Sequence, residues 1–244
     1  MPDIYTLKDN LINELWLPTV KDARKLLYPR RRNNAKMKLL TLTNGINVNE
    51  INRFEECGLI QREDAVAWII DDFNKRMRLE AEAPGVILEG DIFLESILDP
   101  TSQIRDHFPF DILNLDFSSQ EPILLDKRIE CEVGCMEKIL YLQNENNVRR
   151  LVLFYTTTIN SHCIERDVII EVSDAVQVDG WQGLTLSNFP SNISELVAQK
   201  SFLQSVLQAL CQKYGYPNIQ LTDLALNTTS NSIQLYSIAV IVER

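Results

Sequence analysis

Acidic side chains stand at or just after the ends of several apolar runs in this sequence. Asp71 and Asp72 directly follow one run, Asp91 comes just after another, and Asp116, with Asn114 two residues before it, ends a third. A carboxylate accepts hydrogen bonds from ligand hydroxyls, and beside an amine it orients the nucleophile or takes its proton. Each acid alone fits a helix cap equally well, because acids are favoured at helix N-termini. Together, at corresponding strand ends, they favour a ligand-binding site.

The elements that carry these acids have the pattern of buried strands separated by helices. Each run is continuously apolar rather than alternating, which is typical of strands covered on both faces of a parallel sheet. In open parallel sheets, ligands bind beyond the carboxyl ends of the strands, which is where the acids fall. The sequence therefore predicts an α/β fold with a mainly parallel sheet, whose first five strands are residues 39–43, 65–70, 86–91, 111–116 and 151–155.

The remaining pattern predicts helices and a terminal hairpin. Helical spacing covers residues 3–27 with an interruption at Pro18, and residues 47–50 match a capping box that opens a helix closed by Gly58. Residues 158–190 interrupt the alternation of strands and helices and are interpreted as an insertion. Further helices are predicted at residues 73–83, 131–146 and 191–214, followed by an antiparallel hairpin of strands 218–226 and 233–242.

The bulk composition narrows the class of protein. With 244 residues, of which 45% are hydrophobic, the chain can bury one sizeable core. No window of 18 consecutive apolar residues occurs, and no basic region precedes an apolar stretch at the start of the chain. We therefore expect neither a membrane span nor a secretory signal. Five irregularly spaced cysteines favour reduced thiols and a cytoplasmic setting over a disulfide framework.

Charge is unevenly distributed along the chain. The basic segment, residues 21–38, contains eight basic residues and one acid, so it carries +7 while the rest of a chain of net charge −10 carries −17. A local basic stripe can bind phosphates even in an acidic protein. We expect this segment to contact nucleic acid or an acidic protein partner, with a solvated surface as the equal alternative. The sequence divides into an N-terminal helical extension with the basic segment at 1–35 and an α/β domain at 36–244.

Other reactive side chains give weaker signals. Cys131 and Cys135 lie on one predicted helix and His162 and Cys163 are adjacent, which is not the usual spacing of a zinc site, so no metal is predicted. His107 and His162 flank predicted strands and are candidate general bases, with ordinary loop histidines as the alternative. The phosphate-binding loop of nucleotide hydrolases and the nucleophile elbow of serine hydrolases are absent from the sequence. Both classes are therefore disfavoured.

The order of the predicted elements resembles the class I S-adenosylmethionine-dependent methyltransferase fold, which is Rossmann-like with a C-terminal antiparallel hairpin. The resemblance covers residues 36–244 and is one of order and spacing. In the fourth strand, the Leu115-Asp116 pair is distantly similar to the Asp-Leu-Asp-Pro-Phe-Gly run of tRNA guanine-N2 methyltransferases, without its proline and glycine. The Asn/Asp-Pro-Pro-Tyr/Phe motif of amino-methyltransferases is absent, so the substrate class does not carry over.

The resemblance implies which residues bind the cofactor, S-adenosylmethionine. Asn44 and Gly45 form the turn after the first strand, which in the family lies against the methionine part of the cofactor. This turn has one glycine where the family usually has two or three. Asp71, with Asp72 as the alternative, matches the acid that binds the ribose hydroxyls, and Asp91 matches the acid near the adenine.

The fourth strand would lie beside the transferred methyl group. The resemblance implies that Asp116 orients the nucleophile and that Asn114 holds a substrate amine, with strand termination as the equal alternative for both. The function implied is a methyltransferase of unknown substrate, with nucleic acid as one candidate. The alternative is a methyltransferase-fold pseudoenzyme that acts as an interaction or regulatory subunit. A nicotinamide-dependent oxidoreductase is disfavoured because the first turn lacks Gly-x-Gly-x-x-Gly.

Overall fold

The computed structural model of this chain describes residues 4–27, 36–43, 48–69, 73–90, 96–97, 99, 101–118, 125–160, 195–227 and 233–244. Several sequence predictions lie outside the described residues. They are the turn after the first strand, the acids after the second and third strands, the arginine-rich part of the basic segment, and most of the predicted insertion with its histidine and cysteine. In the same order, these are Asn44 and Gly45, Asp71 and Asp72 with Asp91, residues 28–35, and residues 161–190 with His162 and Cys163.

Seven strands form one sheet. They are β1 (Leu39–Thr43), β2 (Ala65–Ile69), β3 (Ile87–Gly90), β4 (Ile112–Asp116), β5 (Arg150–Asn160), β6 (Asn218–Asn227) and β7 (Ile233–Glu243). The order across the sheet is β3-β2-β1-β4-β5-β7-β6. Strands β1 to β5 pair in parallel, and β7 is antiparallel to both β5 and β6. This confirms the predicted Rossmann-like α/β architecture of the class I methyltransferase type, with its C-terminal antiparallel hairpin.

The described helices pack on both faces of the sheet. They are α1 (Ile4–Leu11), a π-helical turn (Ile12–Trp16), α2 (Leu17–Leu27), α3 (Asn49–Glu56), α4 (Phe73–Glu82), α5 (Leu125–Glu145) and α6 (Glu195–Lys213). The first three are contiguous and pack with α3 and α4 against one face, while α5 and α6 cover the other. Among the described residues, no helix is long and apolar enough to cross a membrane.

The N-terminal helix, residues 4–27, passes through Pro18 without a break. A proline in a helix lacks the N–H that would bond four residues back, and its ring crowds that carbonyl. The π-helical turn Ile12–Trp16 comes immediately before it, and the Leu17 N–H donates to the Ile12 carbonyl five residues earlier. The wider turn accommodates the proline. The predicted interruption at Pro18 is therefore wrong, since the helix changes its hydrogen-bonding pattern and continues.

The ends of helix α3 show one correct and one wrong prediction. At its end, the Gly58 N–H donates to the Glu55 carbonyl and the Leu59 N–H to the Phe54 carbonyl, with φ of +66° at Gly58. This is the glycine-closed pattern expected there. At its start, Val48 is the N-cap residue and makes no side-chain capping bond. The helix therefore starts one residue later than the capping box predicts, and the Glu50 carboxylate accepts from the Thr41 hydroxyl, while Asn47 lies outside the described residues.

Strand β5 extends five residues beyond its predicted end at Tyr155, to Asn160. The extension pairs with the first half of β7, from Thr156 opposite Ser237 to Asn160 opposite Ile233. This antiparallel partner lies about 80 residues further along the chain. It supplies hydrogen bonds to the backbone groups of β5 on the side that faces away from the parallel strands. Residues 158–160 therefore belong to the sheet.

Candidate functional site

The carboxyl ends of the parallel strands meet at one edge of the sheet, because β1, β2, β3 and β4 run side by side in the same direction. In such sheets this edge is where ligands bind. The predicted cofactor residues Asn44, Gly45, Asp71, Asp72 and Asp91 follow these strand ends but lie outside the described residues, and their roles stay predictions. Of the sequence-predicted site, the structure describes Asn114 and Asp116, both on β4.

Asp116 forms a buried ion pair with the N-terminal helix. The Lys8 Nζ lies 2.7 Å from the Asp116 Oδ2, and the two side chains are only 11% and 6% exposed. The other carboxylate oxygen, Oδ1, accepts from the Ser118 N–H at 3.0 Å and from the Ser118 hydroxyl. Both oxygens of the carboxylate therefore have partners within the protein.

Asn114 lies deeper on the same face of β4 and is buried. Its Nδ2 donates to the Thr41 Oγ1 at 3.0 Å, and the Thr41 hydroxyl donates to the Glu50 Oε1 at 3.1 Å. Its Oδ1 has no hydrogen-bond partner among the described residues. A buried carbonyl without a partner is uncommon, and Thr41 links the Asn114 amide to the Glu50 carboxylate. The role of Asn114 in holding a substrate amine stays a prediction.

Glu50 is the third charged member of this cluster and is buried. Burial raises the pKa of its carboxyl to about 7, since removal from water disfavours the ionised form. The bond to its own backbone N–H, the Lys8 charge and the Thr41 hydroxyl lower the pKa, whereas the Asp116 charge raises it. At neutral pH, Glu50 is therefore poised between its neutral and ionised states.

The three charges border a small recess at the end of β1. Its walls include the aliphatic side chain of Ile12 and the indole of Trp16 from the π-helical turn, together with Thr43. The Trp16 Nε1 donates to the Ser237 Oγ at 3.0 Å, which fixes the indole against β7. The N-terminal helix thus forms one wall of the recess, and the sheet with α3 forms the other. The charged lining consists of Lys8, Glu50 and Asp116.

Sequence reasoning missed Lys8 and Glu50 as site residues. Lys8 stands on an amphipathic helix, where a lysine is ordinarily solvated, and no pattern indicates that it would meet a strand 108 positions away. The spacing of Glu50 from Asn47 predicts a capping box instead of a site residue. The available signal was an acid in the segment that follows the first strand and its turn.

The histidine before β4 belongs to a different part of the molecule. The His107 Nε2 lies 2.9 Å from the Glu89 Oε1, and each side chain is 22% exposed. The His107 backbone carbonyl accepts from the Lys38 Nζ. Neither His107 nor Glu89 lines the recess. Within the described part of the chain, no cluster of three or more histidine, cysteine or acidic side chains could hold a metal ion.

Comparison with solved structures gives distant matches. TYW2 from M. jannaschii, in complex with AdoMet, is 10% identical with a TM-score of 0.45 over 94% of this chain and 78% of that one. The plantazolicin methyltransferase BpumL, in complex with a pentazolic desmethylPZN analog and SAH, is 10% identical with a TM-score of 0.45 over 99% and 92%. TrmN from Thermus thermophilus is 10% identical with a TM-score of 0.40 over 92% and 48%.

These likenesses are too distant to transfer the role of any residue. The assignment of the fold accordingly rests on the order and direction of the seven strands. Neither a protein-family model nor a curated protein matches the sequence.

Proposed function

We propose that this chain is an S-adenosylmethionine-dependent methyltransferase. The observation that carries the proposal is the strand order, in which β1 to β4 end at one edge of the sheet. At that edge, the recess combines one cation with two acids, and Asp116 ends the strand that lies beside the transferred methyl group in proteins of this fold class. The sequence-predicted acids Asp71 and Asp91 follow the neighbouring strands.

The described recess does not by itself fit this cofactor. S-adenosylmethionine carries a carboxylate, an ammonium and a sulfonium, whereas the recess encloses only about 10 Å³, and its Lys8 and Asp116 are already paired with each other at 2.7 Å. The cofactor would therefore lie outside this recess, along the strand ends that the sequence-predicted acids Asp71 and Asp91 follow.

The chain's own contribution would be alignment of the reacting groups. When bound, S-adenosylmethionine supplies an electrophilic methyl group. Asp116, which ends β4, would orient the attacking group. Holding nucleophile and methyl in line removes much of the entropic barrier of a bimolecular reaction.

A second candidate function is a pseudoenzyme that acts as an interaction or regulatory subunit. The observation that favours it is the ion pair of Lys8 with Asp116, which satisfies the carboxylate from within the protein. On this alternative, Lys8 and Asp116 serve the packing of the N-terminal helix and no cofactor binds at the strand ends. Cofactor binding separates the two functions.

For the methyl acceptor or partner, we propose a polyanion, with nucleic acid as the candidate class and an acidic protein as the alternative. The support is the charge of the basic segment, +7 in a chain of net charge −10. Of its described members, Lys21 and Lys25 are exposed near the end of α2. Lys38 is engaged by the His107 carbonyl instead.

The proposed function is tested by calorimetric titration of the full chain with S-adenosylmethionine and S-adenosylhomocysteine. Asp71→Ala is expected to weaken binding of both, because loss of a carboxylate that accepts ribose hydroxyls costs about 1.5–3 kcal/mol, roughly a ten- to hundredfold change in Kd. Asp22→Ala is the matched control, since it removes an exposed acid of α2 that pairs with Lys25. If the wild type binds neither compound at millimolar concentration, the methyltransferase proposal is withdrawn in favour of the interaction subunit.

A further inference from the structure

Strand β6 forms an open lateral edge of the sheet. It comes last in the strand order, and among the described strands only β7 pairs with it. The ladder with β7 runs without a bulge through all ten residues of β6, from Asn218 opposite Glu243 to Asn227 opposite Gln234. In an antiparallel ladder, the backbone groups of every second residue point away from the partner strand. No described backbone group bonds to this outer side of β6.

This edge lacks the features that keep exposed strands from pairing. Natural edge strands are short, or they carry lysine, proline or a bulge, whereas β6 reads NIQLTDLALN, with Asp223 as its one charge. Each of its ten side chains is exposed or half-buried. The half-buried ones include apolar residues on both faces of the sheet (Ile219, Leu221 and Ala225 on the α5 and α6 face, Leu224 and Leu226 on the other). Such an edge favours pairing with another strand.

A groove of about 360 Å³ adjoins the first half of β6, on the face of the sheet that carries the N-terminal helix. It lies between the end of α2 and the strands β5, β7 and β6 (Leu26, Arg150, Asn218, Gln220, Ile241 and Glu243). The two charged side chains of this lining pair with each other, and the Arg150 guanidinium also donates to the Leu26 carbonyl. The Leu26 side chain is 42% exposed. With its charges paired and a leucine exposed, the groove suits an apolar occupant.

The two halves of β6 are complementary to each other on this face. Asn218 and Gln220 are exposed and line the groove, whereas Leu224 and Leu226 are half-buried and apolar. A second β6, antiparallel about a two-fold axis at Thr222, would place its Leu224 opposite Gln220 and its Leu226 opposite Asn218. Because side chains alternate between faces with a period of two, both leucines would lie on the same face as the groove, at its open side.

We propose that β6 is a self-association edge, at which two copies of this chain pair antiparallel about Thr222 and join their sheets. This inference goes beyond the proposed function and does not depend on cofactor binding. A second copy is the occupant that the geometry favours, because its two leucines supply the apolar groups that suit the groove. Thr222 meets an identical residue at the axis, a favourable cross-strand pair. The two Asp223 carboxylates do not face each other, since each lies opposite a Leu221.

Sedimentation equilibrium of the full chain, between micromolar and submillimolar concentration, measures the association. The wild type should form a dimer, and Thr222→Lys should raise the Kd of that dimer at least about tenfold, because it places two like charges opposite each other at the axis. Thr222 is exposed, so this variant should keep the fold, which circular dichroism checks. Gln61→Lys is the matched control. It adds the same charge at an exposed position before β2, far from β6 in the strand order, and should dimerise as the wild type does.

Disulfide formation tests the register of the two strands. Thr222→Cys should cross-link two copies under mild oxidation, because directly opposite residues have Cβ atoms about 4.5–5.5 Å apart. Asn218→Cys should not cross-link, because its two copies would lie eight residues apart along the paired strands, or about 26 Å. Both positions are exposed, and the wild type, with its own cysteines, gives the background.

Hydrogen exchange of the wild type provides a measurement that needs no variant. The outward-pointing amides of β6 should become protected as the concentration rises and the dimer forms. A chain that stays monomeric at submillimolar concentration, or a dimer whose Kd Thr222→Lys leaves unchanged, overturns this inference. Cross-linking through Asn218→Cys rather than Thr222→Cys overturns it as well. So does equal protection of these amides in the monomer, which would show that the edge is already covered within one chain.

Discussion

The ion pair between Lys8 and Asp116 allows a sharp prediction about stability. The two side chains are 11% and 6% exposed, so Asp116→Ala leaves an ammonium group buried without its counter-charge. Removing one partner of a buried ion pair costs about 3–5 kcal/mol. For a chain of this size, each kcal/mol lowers Tm by about 2–4 °C. We therefore expect Asp116→Ala to lower Tm by roughly 6–20 °C.

The assay is urea unfolding of a double-mutant cycle formed by Asp116→Ala, Lys8→Met and the double variant. The double variant should be little less stable than either single one, because the second change removes a charge that the first had left unpaired. The coupling free energy should then be about 2–3 kcal/mol. The exposed pair of Lys25 with Asp22, whose side chains are 76% and 68% exposed, is the control and should couple by less than about 1 kcal/mol.

Two results would refute this reasoning. One is a loss of less than about 1 kcal/mol for Asp116→Ala, the value of a surface pair. The other is additivity of the two single changes, which would show that the ammonium and the carboxylate do not interact. The prediction also determines how catalysis must be tested, since a destabilised Asp116→Ala protein confounds activity with folding. Asp116→Asn keeps the shape and hydrogen-bonding capacity of the side chain and is the better variant for a transfer assay.

Three further predictions concern pH, backbone geometry and the basic segment. The pKa of Glu50 is about 7 in the folded state and 4.5 in its ordinary setting, so the folded state binds the proton more tightly than the unfolded state. The free energy of unfolding should therefore fall by about 3 kcal/mol as pH rises from about 4.5 to about 7. Glu50→Gln should remove this fall, which urea melts at pH 5 and pH 8 would detect; an unchanged slope would contradict the assignment. Gly58→Ala should lower the free energy of unfolding by about 1 kcal/mol. The cause is the backbone, because φ is +66° at Gly58, whereas the added methyl group would contact the Lys36 Nζ at an ordinary 3.5 Å. An unchanged Tm in thermal unfolding would contradict this prediction. Replacing Arg30, Arg31 and Arg32 with Glu should weaken binding of nucleic acid in an anisotropy assay. It should also reduce the slope of log K against log salt concentration by roughly 2–3. If the wild type binds no polyanion at low salt, the basic segment is only a solvated surface.

The sheet could be predicted from the sequence because its signal is local. A strand covered on both faces is mostly apolar rather than alternating, and β1 has the bounds that the sequence predicts, Leu39–Thr43. The hairpin of β6 and β7 was equally readable from two β-rich runs around a turn. The extension of β5 to Asn160 was not, because its residues are held by pairing with β7 rather than by their own pattern.

The charged recess could not be predicted in the same way, since it depends on long-range contacts. Lys8 and Asp116 are each ordinary in their local sequence, and only the packing of the N-terminal helix brings them together at 2.7 Å. Glu50 fits a helix-capping pattern in the sequence. In the structure its carboxylate is buried, where it accepts from the Thr41 hydroxyl and interacts with the Lys8 charge. Local rules give the position of an acid in an element, whereas its partner is set by the fold.

The polar layer at this edge explains why the N-terminal helix belongs to the same structural unit as the sheet. Thr41, Asn114, Thr156 and Ser237 are buried on the face that this helix covers, and buried polar groups without partners are costly. Trp16 donates to Ser237, while Lys8 pairs with the acid at the end of β4. The helix also buries seven apolar side chains in the core on this face (Leu7, Leu11, Ile12, Leu15, Trp16, Val20 and Ala23). A chain cut at the boundary drawn at residue 35 would expose both the apolar and the polar groups, so the site exists only in the presence of the segment that precedes the first strand.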